Sequence, residues 1–378
     1  MKHTIGIEAQ RLFRPKKHGM EVVAFELLRQ LQQQPAPFNY QLFVKHDEDR
    51  CITTGDHLTV KELPSKPYPY WEQLLLPKAA KAGNISLLHC SSNTAPLFTK
   101  IPLLVTIHDV IFMGAMEFSG SAYQNFGNLY RRFIVPRVAK KAAAIITVSE
   151  YAKKEIAAVL KTDPEKIHVV YNGLNPAFKP QTGAESIKVF CSKYKLPENY
   201  LLHIGNTAPR KNTAGVLKAY QQYLAAEKDP LPLVISGCER SFVEQLAGDQ
   251  TNPTILKNIF TPGYVDAAEL PLLYQGAAIF ICPSFSEGFG MPVAESMACG
   301  TPVITSNCTS LPEVAGGAAL LVNPTEPGEI FSAIIRLLSN AVLYEALKAK
   351  GLENAKRFSW VKAAEQTIDI YKKILNLS

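Results

Sequence analysis

The sequence predicts an α/β protein built from two doubly wound domains, each with a parallel sheet. Short apolar runs that suit buried strands alternate with segments of helical periodicity over most of the 378 residues. Strands that are apolar on both faces are typical of parallel sheets covered by helices on each side. The alternation pauses at 174–183, where two prolines and no periodicity indicate a linker. We therefore predict a first domain over 1–178, a second over 179–360 and a terminal helix over 361–378.

The expected elements of the first domain alternate in type. Ser149 is a favourable N-cap residue for one of the helices. Buried-type strands are expected at 4–8, 40–44, 86–89, 102–107, 142–149 and 167–171, and helices at 20–33, 123–141 and 150–160.

The second domain repeats this alternation, and Gly300 is a favourable end for one helix. Strands are expected at 200–204, 231–236, 259–261, 277–282, 302–305 and 319–322, and helices at 185–195, 213–226, 267–276 and 291–299, with two more after 327.

The stretch 281–306, with the sequence ICPSFSEGFGMPVAESMACGTPVITS, organises the second domain. A buried strand leads into a glycine-containing loop, and a helix begins near Met291 with Pro292 in its first turn, where the missing N–H is not needed. Free backbone N–H groups and the positive end of the helix dipole make such a junction an anion site. Gly288 and Gly290 allow a ligand to approach the backbone closely.

Two carboxylates flank this anion site. Glu287 precedes the turn, and Glu295 lies about one helical turn inside the helix. Carboxylates accept hydrogen bonds, so the pair suits a ligand with phosphates in its middle and hydroxyls at both ends, such as a nucleotide-sugar. On spacing alone, a solvated loop charge and a solvated helix residue are the simpler interpretation.

The whole pattern resembles the signature of the retaining glycosyltransferases of family 4, which have the GT-B fold of two Rossmann-like domains facing a cleft. Glu287-x7-Glu295 occurs here with Gly-Phe-Gly-Met-Pro inside it and Ala-Cys-Gly-Thr-Pro-Val after it, which makes the pattern specific. The resemblance implies that Glu287 contacts the donor sugar and Glu295 the ribose. It also implies that Gly288, Phe289, Gly290 and Met291 form the donor loop and that the terminal helix crosses back to the first domain.

A second loop of this domain carries two adjacent cations, Arg210 and Lys211, ahead of a helix. Arginine can bind two oxygens at once and lysine supplies a point charge, so the pair suits a pyrophosphate, with surface solvation as the alternative. The loop from Gly205 resembles the family's G-x-x-x-x-R-K-N element, which implies that both cations bind the donor diphosphate. Asn206 departs from the family, where many members have arginine. The resemblance also implies that a Gly-Tyr-Val turn, here with Tyr264 and Val265, contacts the base.

The first domain offers His108, which follows a buried strand. Ligands on open parallel sheets gather beyond the carboxyl ends of strands. The segment LLVTIHD resembles the family's V-T-x-H-D segment, which implies a catalytic-site histidine beside the reacting sugar; a structural histidine is the alternative. Gly19 corresponds to the family's glycine beside the donor phosphates or acceptor, or is a turn glycine.

The segment 64–71 is rich in proline and tyrosine and is expected to be a loop. Its aromatic residues Tyr68, Tyr70 and Trp71 would either stack on sugar faces of an acceptor or cover the core.

The excess positive charge lies in the first half of the chain. Residues 1–178 carry 22 Lys and Arg against 15 Asp and Glu, whereas 179–378 carry 18 of each. A helix expected at 123–141 holds Arg132, Arg137, Lys140 and Lys141 within half of its circumference. Such a face is solvated by default, and contact with an anionic membrane surface or a phosphorylated lipid acceptor is our hypothesis. No recognition motif indicates a nucleic-acid partner.

The composition also bears on disulfide bonds, membrane spans and metal sites. The seven cysteines are scattered and odd in number, so we expect buried free thiols. No apolar run reaches the ~20 residues of a membrane span, and a strand begins near the N-terminus, so we expect a cytoplasmic protein, with peripheral attachment to the inner face of the membrane as a hypothesis. Asp47 and Asp49 have the spacing of a metal-binding pair, but no second feature supports one, and no metal or cofactor is expected.

These features and the resemblance predict a retaining glycosyltransferase. It would move a hexosyl unit from a nucleoside diphosphate sugar to a saccharide or lipid-linked acceptor in surface-polysaccharide synthesis, and the two cations would replace a metal. GDP-mannose is favoured over UDP-glucose because the opening segment resembles bacterial mannosyl- and glucosyltransferases. A nucleotide-sugar epimerase and an inactive nucleotide-binding scaffold are alternatives. A dinucleotide-dependent dehydrogenase is disfavoured because neither half opens with G-x-G-x-x-G.

Overall fold

The computed structural model describes residues 2–15, 17, 19–34, 37–114, 122–180, 183–248 and 253–377, with 122–124 and 253–254 described by their backbone only. It divides into two compact units, Met1–Gly173 with Ser359–Ser378, and Leu174–Phe358. The first stretch of the first unit ends at Gly173, which lies against Trp360 of the same unit so closely that a Cβ there would be 2.1 Å from the Trp360 backbone nitrogen. The break therefore lies at 173, whereas the sequence suggested 178.

The first unit is built on a seven-stranded sheet whose strands pair in parallel. The strands are β1 His3–Glu8, β2 Phe38–Lys45, β3 Leu58–Leu63, β4 Leu87–Cys90, β5 Leu103–Thr106, β6 Ala144–Thr147 and β7 Ile167–Val169. Their spatial order is β3-β2-β1-β4-β5-β6-β7. The order reverses between β1 and β4, so the carboxyl ends of these two strands form the switch point at which ligands bind on open sheets.

Helices cover both faces of this sheet and bury an apolar cluster on each. The α-helices are α1 Gly19–Gln33, α2 Tyr68–Tyr70, α3 Leu76–Ala82, α4 Ala122–Lys141 and α5 Glu150–Leu160; a π-helical segment spans Trp71–Leu75, and 3₁₀ turns span Ile111–Met113 and Pro164–Lys166. Apolar residues of α1 pack on one face, and those of α3, α4 and α5 pack on the other.

The second unit has a six-stranded parallel sheet. Its strands are β8 Tyr200–Ile204, β9 Leu233–Ser236, β10 Ile259–Phe260, β11 Ala277–Cys282, β12 Val303–Ser306 and β13 Ala319–Val322. The spatial order β10-β9-β8-β11-β12-β13 places a second switch point between β8 and β11. The two sheets confirm the predicted fold class of two doubly wound α/β domains.

Nine α-helices are described in the second unit. They are α6 Glu185–Tyr194, α7 Thr213–Ala226, α8 Arg240–Ala247, α9 Pro253–Lys257, α10 Leu270–Gln275, α11 Met291–Ala298, α12 Leu311–Ala315, α13 Pro327–Leu338 and α14 Ala341–Ala355, and a 3₁₀ turn spans Pro209–Lys211.

The last helix, α15 Trp360–Ile374, belongs to the first unit, where it packs beside α1. Tyr371 is fully buried there, and its hydroxyl lies 2.7 Å from Nδ1 of His89. The Tyr371 ring also meets Phe38 edge to face at 6.0 Å between centroids. These contacts anchor the end of the chain to the first sheet.

Two predictions for the first unit were wrong. The segment 64–71 is not a loop throughout, because α2 begins at Tyr68 with a proline in its first turn, where the missing N–H costs nothing. Strand β3 was missed, because its exposed charged residues break the apolar run of a buried strand and it lies at the sheet edge. Trp71 is 0% exposed, so it covers the core.

All seven cysteines are free, and five of them are buried, as predicted. Among the described helices, no single one is long and apolar enough to cross a membrane; by length and composition only, one pair bent by 100°, Pro327–Leu338 with Ala341–Ile374, passes that test.

Candidate functional site

In the second unit, two loops follow the strands of the switch point. Leu202 of β8 lies opposite Phe280 of β11, so the carboxyl ends of these strands are neighbours. The loop after β8 leads to α7, and the loop after β11 leads to α11. A 2.8 Å backbone hydrogen bond from Phe285 N to Arg210 O joins the two loops. The residues that the sequence assigned to the donor diphosphate and the donor sugar are therefore brought together.

Glu287 lies at the centre of these loops. Its Oε2 accepts a 2.8 Å hydrogen bond from Arg210 Nη1, and its Oε1 accepts a 2.6 Å bond from Lys211 Nζ. Burial acts to raise the pKa of Glu287, but the charges of Lys211 and Arg210 outweigh it, so the pKa is lowered and the carboxylate stays ionised. Two cations on one anion leave one positive charge for an anionic ligand.

Ser310 holds the backbone of the loop after β11 in place. The hydroxyl of this fully buried residue lies 2.8 Å from the carbonyl oxygens of both Glu287 and Phe289, which share its single hydrogen as acceptors. The side chain of Phe289 is 4% exposed and meets Phe358 edge to face at 5.3 Å. Phe289 therefore offers a ligand its backbone, and the loop containing Gly288 is fixed before any ligand binds.

The loop ends at Gly290, which is the N-cap of α11. Its φ is +108°, and a Cβ there would lie 2.7 Å from Cδ2 of Leu311, so the turn requires glycine. Within the described part of the chain, no side chain caps α11, and Pro292 in its first turn has no N–H. The positive end of the helix dipole at Met291 is therefore open to an anion.

Glu295 lies in α11, and its Oε2 accepts a 2.7 Å hydrogen bond from the hydroxyl of Tyr274. Burial raises the pKa of Glu295 to about 7, against the opposing effects of the Tyr274 hydrogen bond and the charge of Lys211. Tyr274 is 0% exposed and packs edge to face on Phe280 at 5.4 Å, so its hydroxyl has a fixed direction. Glu295 is thus an oriented acceptor whose charge changes near neutral pH.

Two asparagines shape the cationic loop. Asn212, with φ of +56°, caps α7 by accepting a hydrogen bond from Gly215 N at 3.2 Å. Its Nδ2 donates to Pro283 O at 3.0 Å and to Pro324 O at 2.7 Å. Asn206 accepts a 2.9 Å hydrogen bond from Ala208 N, so this departure from the family pattern stabilises the turn of its own loop.

The residues predicted to contact the base follow β10. Tyr264 is 62% exposed, whereas Val265 is 5% exposed. Because the Val265 side chain belongs to the interior, a ligand at this turn would meet the Tyr264 side chain and the backbone.

In the first unit, His108 follows β5 and is 8% exposed. Its Nε2 lies 3.0 Å from Ser91 O, and a carbonyl only accepts, so Nε2 carries the proton and Nδ1 is the acceptor. Burial lowers the pKa of His108, against the opposing effects of the Ser91 carbonyl and Asp109, so the ring is neutral at pH 7. The Nδ1 lone pair can therefore accept a hydroxyl hydrogen.

Gly19 opens α1, and a Cβ built on it meets no atom within 4 Å. Its surroundings give no steric reason for glycine. In the part of the chain that the structure describes, no three His, Cys, Asp or Glu side chains cluster as a metal site requires.

The sequence patterns did not indicate the residues that support this site. Tyr274 is 21 positions from Glu295, and Ser310 follows the signature, so no local pattern announced either contact. Asn212 stands within the R-K-N element, but its bonds to two proline carbonyls depend on loops distant in sequence.

Two family models match the chain. The model described as Glycosyl transferases group 1 covers residues 190–374, and the model described as Glycosyltransferase Family 4 covers residues 17–178. The first match covers most of the second unit and continues into α15 of the first unit, and the second match lies on the first unit apart from residues 174–178.

Named relatives agree with these matches. The O-antigen chain mannosyltransferase B of Escherichia coli is 37% identical over 235 residues, and the alignment spans 61% of this chain and 61% of that protein. The O-antigen chain mannosyltransferase RfbU of Salmonella typhimurium is 31% identical over 267 residues, which is 71% of this chain and 68% of that protein.

Among solved structures, Anabaena HepE in complex with UDP and glucose superposes with a TM-score of 0.76 at 18% identity, covering 98% of this chain and 100% of that one. This likeness shows that the fold is shared. Both family models, the alignment with RfbU and the two parallel sheets lead to one conclusion: the chain belongs to the family 4 glycosyltransferases, which have the GT-B fold.

Proposed function

We propose that the chain is a retaining glycosyltransferase that moves a hexosyl unit from a nucleoside diphosphate sugar to a hydroxyl of a saccharide or lipid-linked acceptor. The observation that carries the proposal is the arrangement of Arg210 and Lys211 on Glu287 beside the open N-terminus of α11. A cationic pair and a helix dipole suit a diphosphate, and the adjoining carboxylate suits the hydroxyls of the sugar attached to it.

The chemistry assigned to these residues is stabilisation of the leaving group. The bond from the anomeric carbon to the diphosphate oxygen breaks, and the acceptor oxygen bonds to that carbon from the same face. The acceptor proton passes to the departing diphosphate. Arg210, Lys211 and the α11 terminus balance the charge that develops there, which is the role of a divalent metal in other transferases. Glu287 would hold the sugar, His108 would accept a sugar hydroxyl through Nδ1, and Glu295 would hold the ribose.

A mannosyl donor is the first choice. The two relatives named above are mannosyltransferases of O-antigen chains, which favours GDP-mannose and surface-polysaccharide synthesis. HepE was solved with UDP and glucose, which keeps a UDP-hexose as the second candidate. A nucleotide-sugar epimerase of the same architecture would convert the donor without an acceptor, and an inactive scaffold would bind it without turnover.

Thermal shift measurements with GDP, UDP, GDP-mannose and UDP-glucose, without added metal and with EDTA, test the donor site. A ligand at 100 times its Kd stabilises a protein by about 2.7 kcal/mol, which gives a shift of several degrees. We expect one nucleotide series to stabilise the chain, and Lys211→Ala and Glu295→Ala to lose that shift. Lys188→Ala, which removes an exposed lysine of the same unit, should keep it. Stabilisation by no nucleotide would contradict the proposal.

We also propose that α4 lets the chain work at the inner face of the cytoplasmic membrane. An exposed stripe runs along this helix at i, i+3 and i+4 spacing: the side chains of Phe126, Leu129 and Phe133 are 54%, 58% and 53% exposed, and Arg137 and Lys140 follow them. Apolar residues that continue into cations suit an anionic bilayer surface. The guanidinium of Arg132, which was predicted on the same half of the helix, donates to Gly114 O.

A further inference from the structure

A loop of the first unit displays an exposed phenylalanine beside the end of α4. Phe98 lies in the segment 97–100, between β4 and β5, and is 84% exposed. We call this segment the Phe98 loop. Leu97 packs against the apolar cluster that α3, α4 and α5 cover, whereas Lys100 is exposed. Exposed apolar side chains are common on protein surfaces, so the exposure of Phe98 alone indicates nothing.

The Phe98 loop is held on both sides of the phenylalanine by Lys141, in the last turn of α4. Lys141 Nζ donates to Thr99 O at 2.7 Å and also to Leu97 O. Gln73 Oε1 accepts a 2.8 Å hydrogen bond from Leu97 N. The backbone around Phe98 is therefore fixed while its ring stays in solvent.

The role of Lys141 differs from the one that the sequence suggested, which was a cation on the membrane-facing side of α4. Two of its three N–H donors are used on backbone carbonyls of the Phe98 loop. Lys141 is thus a positioning residue. A loop that is fixed in advance loses less conformational entropy when it binds to a surface.

The Phe98 loop continues the exposed stripe of α4. Lys141 follows Arg137 by four positions, and residues four apart lie on the same side of a helix. Phe126, at the other end of the stripe, is 15 positions from Lys141, which is about 20 Å along a helix. This side therefore presents apolar residues first, then the cations Arg137 and Lys140, and then the ring of Phe98.

The chain segments that carry this surface lack negative charge. Residues 73–108 and 118–149 contain no Asp or Glu. Their exposed cations are Lys78, Lys81, Lys100, Arg137 and Lys140. Apolar side chains interspersed with cations match an anionic bilayer surface, where the apolar groups enter the acyl boundary and the cations meet the headgroups.

We propose that Phe98 and the exposed stripe of α4 enter an anionic bilayer surface together, so that α4 lies parallel to the membrane plane. The stripe alone would allow the helix to enter at an angle, by its apolar end. Phe98 adds an apolar contact at the opposite end, and both contacts reach the acyl boundary only when the helix lies flat. The inference rests on the proposed membrane contact of α4 and adds a second anchor and an orientation.

Depth-dependent fluorescence quenching tests this orientation. Phe98→Trp, Phe126→Trp and Val342→Trp each add one exposed tryptophan, whereas the chain's own Trp71 and Trp360 are 0% and 5% exposed. The vesicles contain phosphatidylglycerol and phosphatidylcholine with bromine at shallow or deep acyl positions. At saturating lipid, we expect similar shallow quenching for Phe98→Trp and Phe126→Trp. Val342→Trp is the control in the second unit and should be quenched no more than the unmodified chain.

The outcomes separate this inference from the membrane contact on which it rests. Quenching of Phe126→Trp alone would overturn the flat orientation and leave the contact of α4 standing. Quenching of Phe98→Trp alone would overturn the joint entry, and quenching of neither would overturn both proposals. Equal quenching by vesicles of phosphatidylcholine alone would reject the anionic surface.

Phe98→Ser measures the contribution of the anchor. It should weaken binding to the anionic vesicles about tenfold, because it removes the burial of one aromatic side chain. Unchanged binding would overturn the anchor. A smaller sedimentation coefficient for Phe98→Ser without vesicles would identify a second copy of the chain as the occupant and would also overturn the proposal.

Lys141→Met tests the positioning role in the Phe98→Trp background, with Lys140→Met as the matched control. Both remove one positive charge from the end of α4, but only Lys141→Met frees Leu97 O and Thr99 O. At saturating lipid, we expect a broader depth distribution of the tryptophan for Lys141→Met and an unchanged one for Lys140→Met. Identical distributions would show that Lys141 does not position the Phe98 loop.

Discussion

Tyr274 donates a 2.7 Å hydrogen bond to Glu295 and so links α10 to α11 at the edge of the candidate donor site. The phenol is fully buried, and its single hydroxyl hydrogen goes to this carboxyl group. The bond fixes Oε2 of Glu295 and leaves Oε1 to accept a ligand hydroxyl. The direction and the charge of Glu295 therefore depend on a residue that does not belong to the family signature.

Tyr274→Phe should weaken binding of the nucleoside diphosphate by about tenfold at pH 7, since a hydrogen bond to a charged group contributes about 1.5 kcal/mol or more. The bond lowers the pKa of Glu295, so its loss moves that pKa above about 7. The carboxylate form, which accepts ribose hydroxyls, is lost as the pH falls through the pKa. The affinity should therefore begin to fall at a higher pH in the variant, and titrations between pH 6 and 9 measure this shift.

The control for this prediction is Tyr344→Phe. Tyr344 is a partly buried phenol of the second unit, and its hydroxyl donates to Ala278 O at 2.9 Å and not to Glu295. Its variant should keep the pH profile of the unmodified chain. Identical profiles for Tyr274→Phe and the unmodified chain would show that the phenol does not tune Glu295.

Gly290→Ala should abolish nucleotide stabilisation while the chain stays folded. The alanine would hold a φ near +108° and press its methyl group to 2.7 Å from a methyl of Leu311, so the turn before α11 must shift. Gly317→Ala is the matched control, since Gly317 has a φ of +76° and no atom within 4 Å of a Cβ. Both variants should lose about 1 kcal/mol of stability from backbone strain, measured by urea unfolding, but only Gly290→Ala should lose the thermal shift. Equal loss of the shift in both would contradict this assignment.

The sequence predicted the fold class well because its main evidence is periodic. Buried parallel strands are continuous apolar runs, so β5, β6 and β11 were visible in the sequence. Edge strands lack that signal: only the two end residues of β3 are buried, and its middle carries Lys61 and Glu62. The prolines at 67 and 69 indicated a loop, although proline at a helix start is favourable.

The candidate site was predictable only where its residues adjoin in sequence. Glu287, Gly290 and Glu295 share one loop and helix, so their spacing was informative. The pairing of Glu287 with Lys211 spans 76 positions and depends on β8 and β11 being neighbours. Strand order is a property of the whole sheet, and no local pattern encodes it.

Asn212→Ala should destabilise the second unit by about 2 to 4 kcal/mol. The variant loses a helix cap and leaves two proline carbonyls without their donor. It also holds a non-glycine residue at a φ of +56°, which asparagine tolerates better than alanine. Urea unfolding measures this loss of stability. The unfolding transition that added nucleotide shifts belongs to the second unit.

Asn212→Asp separates the contribution of the amide oxygen, which caps α7, from that of the amide nitrogen, which donates to the two proline carbonyls. An aspartate keeps the acceptor that caps α7, but it cannot donate to Pro283 O and Pro324 O, and it places a charge against them. It should therefore destabilise the unit at least as much as alanine at neutral pH and less at acidic pH, where the carboxyl group is protonated and can donate. An aspartate variant as stable as the unmodified chain would show that the cap alone matters.

The exposed stripe of α4 predicts membrane binding with two separable parts. Replacing Phe126, Leu129 and Phe133 by serine should reduce flotation with anionic vesicles at every salt concentration, because burial of apolar surface does not depend on ionic strength. Replacing Arg137 and Lys140 by glutamine should reduce flotation mainly at low salt, by about 1 kcal/mol per cation, because salt screens the attraction.

Val342→Ser controls for simple loss of surface hydrophobicity, since Val342 is 83% exposed in the second unit. This variant should float as the unmodified chain does. The stripe combines an apolar and an electrostatic contribution. Binding of the unmodified chain should therefore fall as salt is added and then level off at the apolar contribution, whereas binding of the serine variant should fall below that level. Flotation that is independent of anionic lipid, or that both sets of α4 variants leave unchanged, would mean that the aromatic side chains of α4 serve another partner, and the membrane proposal would then be withdrawn.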